Sequence, residues 1–114
     1  MNTIKPLVLT DTSTGEQYTL EFSREAVRFA EQRKFNISEL TEYPQTNIPA
    51  LFYFAFRMHH PNVARSKTDQ LLNELGGLRP EEIERLVQLY QRPTESLIQL
   101  NEDARKNARV TLEL

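Results

Sequence analysis

Apolar and polar residues alternate near both ends of the chain, and a three-to-four spacing fills the middle. Lys5-Pro6 leads into a short strand, Leu7-Val8-Leu9. Asp11-Thr12-Ser13-Thr14-Gly15 has turn chemistry, with Gly15 free to take positive φ. The return strand Gln17 to Phe22 sets Tyr18, Leu20 and Phe22 on one face, so residues 7–22 read as a β-hairpin. A hairpin alone is marginal in water and needs a third strand or a helix beneath it. Arg109 to Leu114 alternates in the same way, and its Val-Thr-Leu-Glu-Leu echoes the Tyr-Thr-Leu-Glu-Phe of residues 18–22. The expectation is a closing strand over 109–114 that pairs with the hairpin.

Helical spacing begins at Ser23, a good acceptor for an orphan N–H at a helix start, with Glu25 at the positive end of the dipole. Ala26, Val27, Phe29 and Ala30 form the stripe of a helix ending near Lys34. Asn36 can cap a short turn carrying Ile37 and Leu40, which Tyr43-Pro44 stops. The next helix opens at Asn47 or Ile48, accepts Pro49 in its first turn, and ends before Pro61. No residue from Ile48 through Phe56 is charged. A helix apolar all round must be enclosed on every side. Either it is the central spoke of the core, or one side of Leu51, Phe52, Tyr53 and Phe56 meets another chain.

Ser66 is positioned to cap a fourth helix with Leu71, Leu72 and Leu75 as its stripe, ended by Gly76-Gly77 through a left-handed residue. A fifth starts at Pro80 with Ile83, Leu86, Val87 and Tyr90 in phase, and Thr94, Leu97 and Ile98 keep that phase beyond Pro93. Pro93 therefore either kinks one long helix or starts a sixth. Gln88 and Gln91 fall on the outer side, and 101–108 is a polar link. The whole is expected to be one α+β domain over 1–114: the hairpin 7–22, a helical region 23–100 and the strand 109–114. Its small antiparallel sheet, drawn from both ends, packs on a bundle of four or five helices.

Composition narrows the chemistry. With 114 residues the chain is of ordinary single-domain size. The absence of cysteine excludes disulfides, thiolate metal sites and a thiol nucleophile. The longest apolar run falls well short of the ~20 residues of a membrane span. No signal-peptide layout occupies the first 30 residues, so a cytoplasmic protein of a bacterial host is expected. The 14 basic and 16 acidic side chains are shared evenly between the two halves, which lowers the prospect of nucleic-acid binding.

Candidate sites are few. His59 and His60 are adjacent, point about 100° apart on a helix, and cannot face one metal or nucleophile together. Glu81, Glu82 and Glu84 fit the positive end of a helix dipole better than a metal cluster. Gly76-Gly77 lacks the lysine and serine of a phosphate loop. The pair 66–90 resembles a helix-turn-helix, but three glutamates stand where base-reading residues would enter the groove. Neither catalytic residues, nor a metal, nor a cofactor, nor a small-molecule substrate is expected. No carboxylate occurs between Glu42 and Asp69, whereas Arg57, His59, His60, Arg65 and Lys67 lie inside that gap. An acidic segment of a partner protein suits this stretch, so Tyr53, Phe56, Arg57, His60, Arg65 and Lys67 are the candidate partner-binding residues. Tyr53 and Phe56 would lie near the edge of the exposed surface.

Several segments resemble a known family. The hairpin ending in Tyr-Thr-Leu-Glu-Phe, the Ser-Arg-Glu-Ala-Val-Arg-Phe-Ala-Glu of 23–31, the run Ile48 to Phe56, His59-His60-Pro61, Thr68-Asp69, Ile83 to Tyr90 and the closing Val110 to Leu114 are similar to small proteins of phage and prophage tail gene clusters in Gram-positive bacteria. The resemblance implies a non-enzymatic tail assembly chaperone. Such proteins coat the tape-measure protein before the tail tube polymerises, with a second copy or a longer frameshifted form as further partners. It implies no membrane and no nucleic acid. The alternative is a small phage regulatory or nucleic-acid-associated protein using the helix pair 66–90.

Overall fold

The computed structural model describes residues 4–98 and 109–114. Strands β1 (Leu7–Asp11) and β2 (Glu16–Leu20) form the hairpin, followed by α1 (Arg24–Gln32), a 3-10 turn (Ile37–Glu39), α2 (Pro44–Phe54), α3 (Arg65–Leu75) and α4 (Pro80–Glu95). This is a small α+β fold with a two-stranded antiparallel sheet. The register pairs Leu7 with Leu20, Leu9 with Tyr18 and Asp11 with Glu16. Strand alternation then turns Leu7, Leu9, Tyr18 and Leu20 toward the helices and leaves Val8 and Thr10 outside.

The uncharged run is the centre of the molecule. Ala50, Leu51, Phe52, Phe54, Ala55 and Phe56 are all buried, enclosed by α1, α3, α4 and the hairpin. Aromatic rings do much of the filling. Phe52 meets Phe56 edge-on at 5.1 Å, and Phe35 contacts both Phe54 and Tyr90 at 5.4 Å. Such pairs add about 0.5–1.5 kcal/mol each beyond the area they bury. Every buried side-chain polar atom among the described residues has a hydrogen-bond partner.

The caps follow local chemistry. Ser23 Oγ accepts from the Ala26 N–H at 3.1 Å, and Asn36 Oδ1 accepts from the Ser38 N–H at 3.0 Å. Past α1, Lys34 takes φ 64°, and the N–H groups of Lys34 and Phe35 close onto the carbonyls of Glu31 and Ala30. That is the glycine-type helix ending made with a lysine. Gly76, at φ 81°, ends α3 in the same fashion.

Three boundaries differ from the sequence reading. Helix α2 starts at Pro44, not at Asn47 or Ile48: a proline in the first turn sacrifices no helical hydrogen bond, so Tyr43-Pro44 opens the helix rather than stopping the preceding turn. It also ends at Phe54, six residues short of His60, because the following turns swing toward β2. Helix α3 starts at Arg65 behind Ala64, so Ser66 is not its cap; this phase lets Arg65 reach Asp69 at 3.1 Å one turn on. Of the two alternatives at Pro93, the single long helix is the one found: α4 runs through the proline, which lies in its last turn. Gln88 and Gln91 are outside, as the spacing indicates.

The closing strand is not formed. Residues 109–114 have no regular structure and are exposed throughout. One edge of the sheet is already occupied. The Glu21 N–H donates to the Ala55 carbonyl at 3.0 Å, and the Thr19 N–H donates to His60 Nε2 at 2.9 Å. The turn after α2 therefore completes β2, and no strand can add there. The polar link 101–108 and the last residues of the expected helical region lie outside the described residues. Among the described residues no helix is long and apolar enough to cross a membrane.

Candidate protein-binding surface

The six candidate residues gather around the end of α2, but in unequal roles. Phe56 is 1% exposed and packs on Tyr18 at 5.4 Å as well as on Phe52. It is a core residue and cannot touch a partner. The reason is geometric: the chain leaves α2 just before Phe56 and passes beneath the hairpin, which closes over the ring. His60 is likewise structural. Its Nε2 accepts from Thr19, so its proton sits on Nδ1, and its ring meets Tyr18 edge-on at 5.1 Å. His59 reaches Glu21 Oε1 with Nε2 at 2.8 Å. Both histidines thus hold the outer edge of β2.

The basic stretch is partly neutralised by one carboxylate remote in sequence and one a single helical turn away. Lys67 Nζ lies 3.7 Å from Asp11 Oδ2, and Arg65 pairs with Asp69. Asp11 also accepts from the Ser13 hydroxyl and N–H, and these bonds, ahead of the Lys67 charge, hold its carboxyl below the usual aspartate value. The crease among Tyr53, Phe56, Arg57, His60 and Pro61 is too narrow for a water molecule.

What stays open is a ladder of arginines and rings. The Arg57 guanidinium lies 3.9 Å from the centre of the Phe29 ring, and that of Arg33 lies 3.5 Å from the same centre. Two guanidiniums at those distances cannot share one face, so the ring is held between them. Tyr53, one turn before Arg57 and half-buried, carries Arg65 at 5.6 Å. Arg33, Phe29 and Arg57 form one group and Tyr53 with Arg65 a second, and the crease that Arg57 and Tyr53 both line joins them into one row. Sequence reasoning found the second half of this row and missed Phe29 and Arg33. The signal was present, because Arg33 stands four residues after Phe29 and is directed over it by the helical turn.

This arrangement has a chemical consequence. Arg33 and Arg57 donate weakly to the carbonyls of Phe29 and Pro61, each at 3.4 Å, and neither meets a carboxylate among the described residues. Two cations across one ring repel each other, and contact with the ring restrains both guanidiniums while leaving most of their N–H groups without a partner carboxylate among the described residues. That geometry suits bidentate capture of carboxylates. It does not suit base stacking, because both faces of Phe29 are covered. The helix pair of α3 and α4 fits nucleic acid no better: Glu81 and Glu82 occupy the first turn of α4, where Glu82 accepts the Arg79 N–H at 2.7 Å. Among the described residues no group of three or more acidic or histidine side chains is placed to hold a metal.

Exposed apolar side chains also lie just beyond the end of α4. Leu97 and Ile98 are 65% and 59% exposed. They border two grooves of about 420 Å³, one against Val27 of α1 and one against Phe35 and Ile37. A family model described as Domain of unknown function (DUF5055) matches residues 2–114. No curated protein and no solved structure matches the chain.

Proposed function

We propose that this chain, which belongs to the DUF5055 family, is a non-enzymatic tail assembly chaperone of a phage or prophage, acting in the bacterial cytoplasm to hold the tape-measure protein until the tail tube is built. The observation that carries the reading is the arginine ladder: three guanidiniums held near aromatic rings, of which only Arg65 meets a carboxylate among the described residues. A long amphipathic client helix presents carboxylates at regular turns, and a row of guanidinium forks matches such a pattern. Binding through half-exposed cations is individually weak and reversible, which suits a protein that must release its client. The open grooves beside Leu97 and Ile98 provide a separate place for the client's apolar side chains.

Co-expression with a phage tape-measure protein tests this. The client is expected to pellet alone and to stay soluble with the wild-type chain. It should pellet again with the combined Arg33→Glu, Arg57→Glu and Arg65→Glu variant, whose thermal unfolding is measured in parallel to show that the fold persists. Lys67→Glu, which alters a charge already taken by Asp11, should still hold the client. A client that pellets equally with wild type and triple variant overturns the proposal.

A further inference from the structure

The sheet has a second edge, and the chain carries a segment that fits it. The outward N–H groups of Thr19 and Glu21 fix the parity of the ladder: Tyr18 and Leu20 bond across to Leu9 and Leu7, so Val8 and Thr10 turn their backbone groups away from β2. Nothing among the described residues pairs with that edge, and both side chains are exposed. Below it lies a cleft of about 240 Å³ lined by Leu9, Thr10, Asp11, Leu71, Glu74 and Leu75. Residues 110–114 show Val110 and Leu112 at 80% and 76% exposure, with Leu114 fully exposed. Three large apolar side chains at every second position make one greasy face of a strand with nothing covering it.

We infer that residues 110–114 of one copy add as a third strand to the β1 edge of a second copy, reciprocally, giving a two-fold dimer. Residues 110–114 are long enough to lie along all of β1. An antiparallel register opposes Val8 to Glu113 and Thr10 to Thr111, completing the free backbone groups. It turns Val110, Leu112 and Leu114 inward over the cleft, beside Leu9 and Leu75. Thr111 and Glu113 then face outward with Val8 and Thr10, as the alternation of both segments requires. Charge selects the direction. Antiparallel addition brings Arg109 toward the acidic end of the hairpin, Asp11 and Glu16, and Glu113 toward Lys5; parallel addition would oppose like charges at both ends. Residues 109–114 are exposed and do not pair with their own β1, and the chain's radius of gyration of 16.3 Å exceeds the ~13 Å of a compact body of this length. A neighbouring copy is the occupant that uses both features at once, because each copy offers one tail and one edge. This inference is independent of the chaperone reading.

Sedimentation of the full chain over a range of concentrations tests it. The wild type should pass from monomer to dimer. Leu112→Lys, at an exposed position that cannot disturb the fold, should raise the dissociation constant at least tenfold, and Thr10→Pro, which removes an edge donor, should do likewise. Mixed together, these two variants should form a heterodimer, since one keeps an intact tail and the other an intact edge. Hydrogen exchange at Val8 and Thr10 should slow as the wild-type concentration rises. A wild type monomeric throughout, or a dimer indifferent to Leu112→Lys, overturns the inference. Protection of Val8 and Thr10 independent of concentration does so too, by assigning the edge to the chain's own tail.

Discussion

Replacing His60 by alanine removes one acceptor and one ring from the joint between α2 and the hairpin. The Thr19 N–H, partly buried and otherwise unpaired, loses its only partner at 2.9 Å. Orphaning such a donor costs about 1–3 kcal/mol. The edge-on contact with Tyr18 at 5.1 Å goes with it, worth about 0.5–1.5 kcal/mol. Together the loss is about 2–4 kcal/mol, a large part of the roughly 6–17 kcal/mol typical of a chain this long. His59 is the control. Its pair with Glu21 is about one-third exposed on both sides, and exposed pairs contribute about 0–1 kcal/mol. Urea unfolding followed by circular dichroism should therefore show a large fall in midpoint for His60→Ala and a small one for His59→Ala, with slopes unchanged. Exchange of the Thr19 amide should accelerate in the first variant alone. If the two alanine variants unfold together, or His60→Ala lies within about 0.5 kcal/mol of wild type, His60 does not close the sheet edge.

Two further outcomes are expected. Phe52→Ala, in a filled core, should cost about 3–5 kcal/mol by the same denaturation assay, and a loss under about 1 kcal/mol would contradict its place on the central rod. Tyr90 is buried, and burial first, with the Glu31 charge second, pushes its phenol from 10.0 up to about 12. Because the folded form resists ionisation, this contribution to stability is complete below pH 10 and fades as the pH rises toward 12. Phenolate absorbance should show Tyr90 ionising late in the native chain and at the ordinary value in denaturant; an ordinary native titration for every tyrosine would refute the burial.

The elements legible in the sequence are those whose signals are local. Ser23 and Asn36 announced their caps, Gly76 its left-handed ending, and the uncharged stretch 48–56 its burial. Where prolines were involved, sequence position alone was ambiguous: Pro44 could stop one element or open the next, and Pro93 in a last turn costs too little to break a helix. The closing strand failed for a non-local reason. Its alternation is genuine, but the β2 edge is taken by Ala55 and His60, residues about forty positions away whose involvement no periodicity reveals, and residues 109–114 do not occupy the β1 edge that remains. The candidate surface divided along the same line. Arg57 and Arg65 emerged from a gap in acidic residues, yet the carboxylates that answer Lys67 and His59 come from the hairpin. Phe56 looked accessible only while the path of the chain beyond α2 was unknown. The Phe29 and Arg33 half of the ladder was visible as a four-residue spacing but had been absorbed into the core stripe of α1.

The clasp of Thr19 by His60 also has a consequence in time. The hairpin is synthesised before the residue that finishes its outer edge, which is added 41 positions after Thr19. At about 5–20 residues per second, translation leaves that interval at roughly 2–8 s. Throughout it the young ribbon has two sticky margins instead of one, and only the arrival of the α2 rod closes the first of them. Birth of the native protein is thus gated by the ribosome's progress through the middle of the message, and the nascent hairpin is the stage at which premature association between neighbouring chains is most easily made.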